Sequence, residues 1–197
     1  MNIHKTAIIH DGVELGSNII IGEYTVIYSG TTIHDNVKIG SHCSIGSNPE
    51  IINNQVTLGL VINKNTTITD HVSINLGTDK DTFIGEGCYI MNHSYIAHDV
   101  EVGDRSIIAP GTKVLGRAVL GKEVYLGANS VVHQETVVGE LTLLAAGSFC
   151  KGILDSCQIY AGSPAKPKKI NQVGIQRSKI NKEEIENLLN NIDNSIT

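Results

Sequence analysis

The chain has no surplus of positive charge: 15 Lys and Arg stand against 20 Asp and Glu, for a formal net charge of −5. General nucleic-acid and membrane-surface binders meet phosphates with excess cations, so that class is set aside, and small molecules or other proteins are the expected partners. No apolar run approaches the roughly 18 residues of a membrane span, and the opening segment MNIHKTAIIHDG lacks the basic-then-apolar order of a signal peptide. A cytoplasmic location is the expectation that follows. The four cysteines, Cys43, Cys88, Cys150 and Cys157, include no Cys-x-x-Cys pair. A chain of 197 residues, 41% of them apolar, is large enough for one packed domain without covalent staples. The cysteines are therefore read as reduced and structural.

What the sequence does have is a period of six. Aliphatic residues recur at Ile3, Ile9, Leu15, Ile21, Ile27, Ile33, Ile39, Ile45 and Ile51, and again from Ile84 through Ile90, Ile96 and Val102 to Leu144. Helical faces repeat at 3.6 residues and strands at two, so a sustained six-residue register signals the stacked coils of a parallel β-helix. In hexads such as IGEYTV and VGDRSI the aliphatic residue opens the unit and a small or β-branched residue takes the fifth place. Both are expected to point into a narrow prism, and Cys43 and Cys88 fall in that fifth place. Gly or Asn in second place suits a corner requiring positive φ. Three hexads make a coil of about 18 residues, and coils stack at about 4.8 Å through ladder hydrogen bonds. Residues 18 apart then lie one above another.

The register breaks at SNPEIINNQVTLGL (47–60) and LGTDKDTF (76–83), where extra residues leave the prism as loops of the kind that build binding sites. It fades after Leu144. Residues 1–160 read as the β-helix and 161–197 as an exit loop and helical tail. In the tail, Asn181 as N-cap, Glu184 three residues later, and Ile185, Leu188, Leu189 and Ile192 at helical spacing predict one short helix closing the barrel end.

An 18-residue coil puts His98, Gly116 and Gln134 in one column, each in the third place of its hexad, a corner that the interior does not need. His133 stands beside Gln134. Such a column suits acyl transfer. A neutral imidazole takes a proton from a hydroxyl or amine, Asp99 fixes its tautomer, and Gly116, one coil away, offers a bare backbone N–H to the oxyanion of a thioester under attack. Four of the eight histidines, His4, His10, His34 and His133, occupy second-place corners where a polar residue is unremarkable.

On these residues the chain resembles the hexapeptide-repeat acyltransferases, in particular those acting on UDP-N-acetylglucosamine in lipid A synthesis and their sugar-nucleotide N-acyltransferase relatives. IAHDVEVGDRSIIAP is similar to their catalytic segment, VVHQ to their substrate-contacting pair, and AGSPAKPKKINQVGIQRS to their exit loop. The resemblance implies His98 as general base, Asp99 as its partner and Gly116 as oxyanion donor. It implies substrate or donor contacts at Asn75, Tyr95, Arg117, His133, Gln134, Asn171 and Arg177. It also implies no bound cofactor or metal, an acyl-CoA or acyl carrier protein co-substrate, a nucleotide-sugar acceptor, a homotrimer with sites between subunits, and a left-handed coil. Parallel crossovers are right-handed in about 98% of cases, so the hand comes from the resemblance alone.

Tyr95 and Arg117 stand where the lipid A enzymes have histidines, Lys64 replaces an acidic residue, NLGT replaces HRGT at 75–78, and Ala146 falls where those enzymes limit acyl-chain length. Lys166, Lys168, Lys169, Arg177, Lys179 and Lys182 form a basic segment suited to the phosphates of coenzyme A or phosphopantetheine, or a solvated tail balancing EEIEN. Two other readings stay open. A γ-type carbonic anhydrase would use the His93 and His98 spacing, with Asn75 where a third zinc ligand belongs and His71 in another slot. A non-catalytic or ice-binding solenoid would need Thr arrays in every coil, which the pairs at 31 and 66 do not supply.

Overall fold

The computed structural model describes residues 1–52 and 57–193, with side chains as far as Asn190. Strands mostly two or three residues long alternate with tight turns and stack into three parallel sheets. Following one coil, Tyr89–Ile90 lies on face A, Tyr95–Ile96 on face B and Glu101–Val102 on face C. Face A has ten strands, and faces B and C eight each. Tyr89 pairs with Ile107, Ile107 with Tyr125 and Tyr125 with Leu143, the 18-residue register expected from the hexads. The fold is the all-β hexapeptide solenoid, a left-handed parallel β-helix with a helical tail, that the period and the resemblance led us to expect.

The opening aliphatic of each regular hexad fills the prism, with Ile27, Ile45, Ile74, Ile96, Val114 and Val132 fully buried. Fifth-place residues join them: Cys43, Cys88, Val100, Ser106 and Thr112 are all buried. A buried hydroxyl needs a partner, and the corners provide one. Thr25 donates to Gly40 O, Ser106 to Gly121 O and Thr112 to Gly127 O, each a second-place carbonyl of the next coil. Among the described residues, the hydroxyls of Thr31, Ser130 and Thr136 alone are buried without a partner.

The corners correct one expectation. Positive φ belongs to the fourth place, at Tyr24, His42, His71, His93, Asp99, Arg105 and Arg117 among others, and in the second place to Gly46 at the first register break. Second-place glycine answers a different need, because a Cβ on Gly103 would stand 2.5 Å from the carbonyl carbon of Gly121 in the next coil.

Both register breaks leave the prism at the same edge. Ser44–Ser47 and Ser73–Asn75 lie on face B, and the chain resumes on face C at Leu60–Ile62 and Thr82–Ile84. Partners are 29 residues apart across the first loop and 22 across the second. Residues 53–56 of the first loop lie outside the described residues. The two insertions therefore flank the B/C edge, the edge that carries His98.

The tail differs from the expected single helix. Gln158–Gly162 and Ala165–Ile170 form an antiparallel hairpin that extends face A, so the sheet continues past residue 160. Two helices follow, α1 (Gln172–Arg177) and α2 (Lys182–Asp193). At the start of α2, Asn181 Oδ1 accepts from Glu184 N at 2.8 Å and its amide donates to Glu184 Oε2 at 3.3 Å, the capping pair that the spacing predicts. Ile180 and Ile185 pack with Leu141 and Cys157, flanked by Leu188 and Leu189, while Lys122 reaches Glu184. The helices thus lie along the edge between faces C and A and do not close the barrel end. The side chain of Ile192 lies outside those described.

Candidate active site

His98 and Asp99 form the turn of the B/C edge, after the face B strand Tyr95–Ile96 and before the face C strand Glu101–Val102. Asp99 occupies the left-handed fourth place at φ 61°, which turns its carboxylate back beneath the neighbouring imidazole. His98 Nδ1 lies 2.6 Å from Asp99 Oδ2, and both side chains are largely withdrawn from solvent.

The second inserted loop secures Asp99. Its Oδ1 accepts from the backbone N–H groups of Thr78 at 2.6 Å, Asp79 at 2.9 Å and Lys80 at 3.2 Å. Its Oδ2 accepts from Thr78 Oγ1 at 2.7 Å. Burial by itself raises the carboxyl, but the hydrogen bonds from His98, Thr78 and Asp79 outweigh it and hold Asp99 well below the usual carboxylate range. An ionised carboxylate only accepts, so the proton between the two side chains sits on His98 Nδ1. Nε2 is then the free lone pair, the atom a general base needs.

Gly116 follows one coil later, and the ladder bond from Arg117 N to His98 O at 3.0 Å fixes the stacking. A Cβ on Gly116 would stand 2.6 Å from both Cε1 and Nε2 of His98, so the imidazole lies where a side chain would otherwise be. The absence of a side chain at 116 is what gives the base its position. The Gly116 N–H has no partner among the described residues. Where the next coil carries a third-place aspartate, that carboxylate takes the N–H below it, as Asp35 does for Ser17 and Asp104 for Glu86. Above Gly116 stands Gln134. Other corners also leave this N–H unpaired, but only at 116 does the bare position sit against His98.

The remaining residues singled out in the sequence divide between two edges. Arg117 lies beside the dyad, paired with Asp79 at 2.7 Å, 4.0 Å from Asp99 and 3.9 Å from Glu135. Tyr95 donates to Asn75 Oδ1 at 2.6 Å, and the Asn75 amide donates to Ser47 Oγ and Asn48 O, tying the first loop to face B. Burial, reinforced by the charge of Glu50, pushes the Tyr95 hydroxyl up to about 12, so it remains a donor. His133 packs edge-on against Phe149 with ring centroids 5.8 Å apart, and Gln134 beside it is exposed.

Asn171 and Arg177 do not join this group within one chain. They lie at the opposite C/A edge, around a cavity of about 770 Å³ floored by Ile107, Tyr125, Leu143 and Ile159. Asn171 is occupied there: it caps α1 by accepting from Gly174 N at 3.1 Å and donates to Leu141 O at 2.8 Å. His93, the other half of the proposed zinc pair, is on the A/B edge, stacked on His71 with centroids 4.8 Å apart. Among the described residues no three His, Cys, Asp or Glu side chains are grouped to hold a metal ion, and His93 and His98 belong to different corners. Sequence reasoning missed the clamp on Asp99 by residues 78–80. Its signal was available in the loop's departure from the B/C edge one coil before His98.

A parallel prism of hexads carrying a histidine–aspartate pair over a bare backbone corner is the architecture of a hexapeptide acyltransferase. Residues 18–48 and 81–116 match the bacterial transferase hexapeptide (six repeats) family. The acyl-[acyl-carrier-protein]–UDP-N-acetylglucosamine O-acyltransferase of Campylobacter concisus is 31% identical over 95% of this chain and 80% of its own length, and that of Campylobacter lari 34% over 93% and 78%. The structure of LpxA from Acinetobacter baumannii superposes with a TM-score of 0.77 at 28% identity, covering 94% of this chain and 81% of that one. The chain belongs to the acyl-[acyl-carrier-protein]–UDP-N-acetylglucosamine O-acyltransferase family, and it is an acyltransferase, not a carbonic anhydrase.

Proposed function

We propose that the chain transfers an acyl group from an acyl carrier protein thioester to a hydroxyl of UDP-N-acetylglucosamine, with His98, Asp99 and Gly116 as its catalytic residues. His98 Nε2 takes the proton of the sugar hydroxyl as its oxygen attacks the thioester carbonyl. The charge that forms on the carbonyl oxygen meets the N–H of Gly116. Collapse of the tetrahedral intermediate breaks the C–S bond, and the departing thiolate recovers the proton from His98. Asp99 remains an anion throughout and stabilises the transient imidazolium. The observation that carries this reading is the imidazole held by Asp99 with Nε2 against the unsubstituted backbone of residue 116.

Acyl carrier protein and UDP-N-acetylglucosamine are named for the curated relatives. The exposed Lys166, Lys168 and Lys169, which have no ion pair among the described residues, offer cations to a phosphopantetheine phosphate. The functional unit we propose is a homotrimer. Arg177 and the cavity at the C/A edge then belong to the same site as a neighbouring copy's His98, an arrangement that one chain does not provide.

The test is thiol release from acyl carrier protein thioesters and acetyl-CoA against a panel of UDP- and dTDP-sugars. Turnover with the carrier thioester and UDP-N-acetylglucosamine is expected, and His98→Ala is expected to lower kcat by about 10²- to 10⁴-fold, as loss of a positioned base does. A folded His98→Ala protein with wild-type turnover would remove His98 from the mechanism.

A further inference from the structure

We infer that Thr78 is a positioning residue for the transfer: its hydroxyl and the loop it opens hold Asp99, and through Asp99 they set the tautomer and aim of His98. This inference rests on the reading of His98 as the base. Three features carry it. Asp99 has two oxygens with separate duties: Oδ1 is taken by the three consecutive N–H groups of Thr78, Asp79 and Lys80, while Oδ2 is shared by the Thr78 hydroxyl and His98 Nδ1. The second feature is that Thr78 and Asp99 are buried, 8% and 0% exposed, so no water substitutes freely for the hydroxyl. The third is that the loop is fastened from outside, by Arg117 on Asp79 and by Lys80 paired with Glu101.

The geometry gives the Thr78 hydroxyl a task that the backbone clamp does not perform. The three N–H groups fix one oxygen but leave the carboxylate free to swing about that anchor. The Oγ1–H bond to Oδ2 removes the swing and keeps the second oxygen under Nδ1. With the hydroxyl gone, Oδ2 leaves the imidazole plane, the Nδ1–H tautomer loses its preference, and Nε2 no longer presents a lone pair in every molecule. Thr78 touches no reacting atom in this scheme, so its effect belongs to kcat and not to substrate binding.

The experiment compares Thr78→Val, which keeps the shape, with Thr78→Ser, which keeps the hydroxyl. Thr78→Ala replaces Val should the Val protein fail to fold. Steady-state kinetics with the carrier thioester and sugar nucleotide are paired with ¹⁵N NMR of the His98 ring nitrogens. Expected for Thr78→Val is a kcat about 10- to 100-fold lower, as for loss of a hydrogen bond to a charged group, with KM for both substrates unchanged. The His98 spectrum is expected to shift from a single Nδ1–H tautomer to a mixture, and Thr78→Ser is expected to restore both readouts. Wild-type kcat in Thr78→Val, an equal loss in Thr78→Ser, or a change confined to KM would overturn the inference. The tautomer readout separates it from the parent reading: if His98→Ala stays active while Thr78→Val scrambles the tautomer, the base assignment has failed and the positioning contact has not.

Discussion

Replacing Gly116 with alanine tests the site at its tightest point, because the change adds one methyl group and keeps the backbone N–H. Gly116 does not have positive φ, so alanine fits its backbone without strain. The new Cβ would stand 2.6 Å from His98 Cε1 and Nε2 and 3.3 Å from Cδ2, whereas carbon contacts settle near 3.5–4.0 Å. The ring must retreat by about 1 Å, and its exit is governed by the 2.6 Å bond between Nδ1 and Asp99. Weakening a hydrogen bond to an ionised partner costs about 1.5–3 kcal/mol. At about 1.4 kcal/mol per decade this corresponds to a 10- to 100-fold fall in kcat. Stability should fall by up to about 2.5 kcal/mol, since overpacking of about 1–3 kcal/mol is only partly offset by the 0.4–1 kcal/mol that alanine gains through the unfolded chain. The assay is thiol release for kcat and KM, a thermal melt for folding, and a crystal structure for the ring. The backbone N–H is retained, so the ring position in the crystal structure separates displacement of the imidazole from crowding of the oxyanion. A kcat within about twofold of wild type, with the ring displaced, would refute the base assignment.

Two further outcomes follow from the same geometry. Burial pushes the thiols of Cys88 up to about 12 and of Cys150 and Cys157 to about 11. At pH 8 they remain protonated in the folded protein and ionise partly once unfolded, so a thiol reagent should label them slowly until denaturant is added; rapid native labelling would contradict their burial. Mixing His98→Ala with Arg177→Ala chains should restore activity above either alone, up to about a quarter of the sites in a random cyclic assembly, if the two residues come from different copies. No recovery on mixing would refute a site shared between copies.

The fold was legible because a period of six admits few structures. Ile96, Val114 and Val132 recur at three times that spacing and lie in one buried column, and His98 and Gly116 follow two places behind them. The period does not say which dihedral each place adopts. Positive φ went to the second place on the strength of its glycines, yet those glycines answer close backbone approach, and the left-handed turn lies two places on. The side chains there give the signal: among the described non-glycine residues with positive φ, eight of fifteen are Asn, His or Asp, the types that tolerate this region best. Tyr24 and Leu141 adopt it too, where the stacked ladder outweighs local preference. The Asp99 clamp was hidden for another reason. Residues 76–83 break the repeat, so the register names the edge from which the loop leaves but not which of its groups meets Asp99.

Asn171 and Arg177 mark the boundary between what one chain does and what it leaves undone. Resemblance gave both a ligand-contacting role, but the Asn171 amide is already used at both ends, as the α1 cap and as donor to Leu141 O. Drawing it onto a ligand would uncap the helix and leave a buried carbonyl unpaired, a cost of about 1–3 kcal/mol. The groups on that edge free to meet a ligand are Arg177 and Lys179 at the rim and an apolar floor of Ile107, Tyr125, Leu143 and Ile159. The B/C edge has a different inventory: the His98 imidazole we propose as base, its partner anion and a bare N–H. On the function we propose, activation and recognition divide between two edges of one prism. A substrate that needs both would be served where the recognition edge of one copy meets the activating edge of another, and that is a chemical reason for the homotrimer we propose.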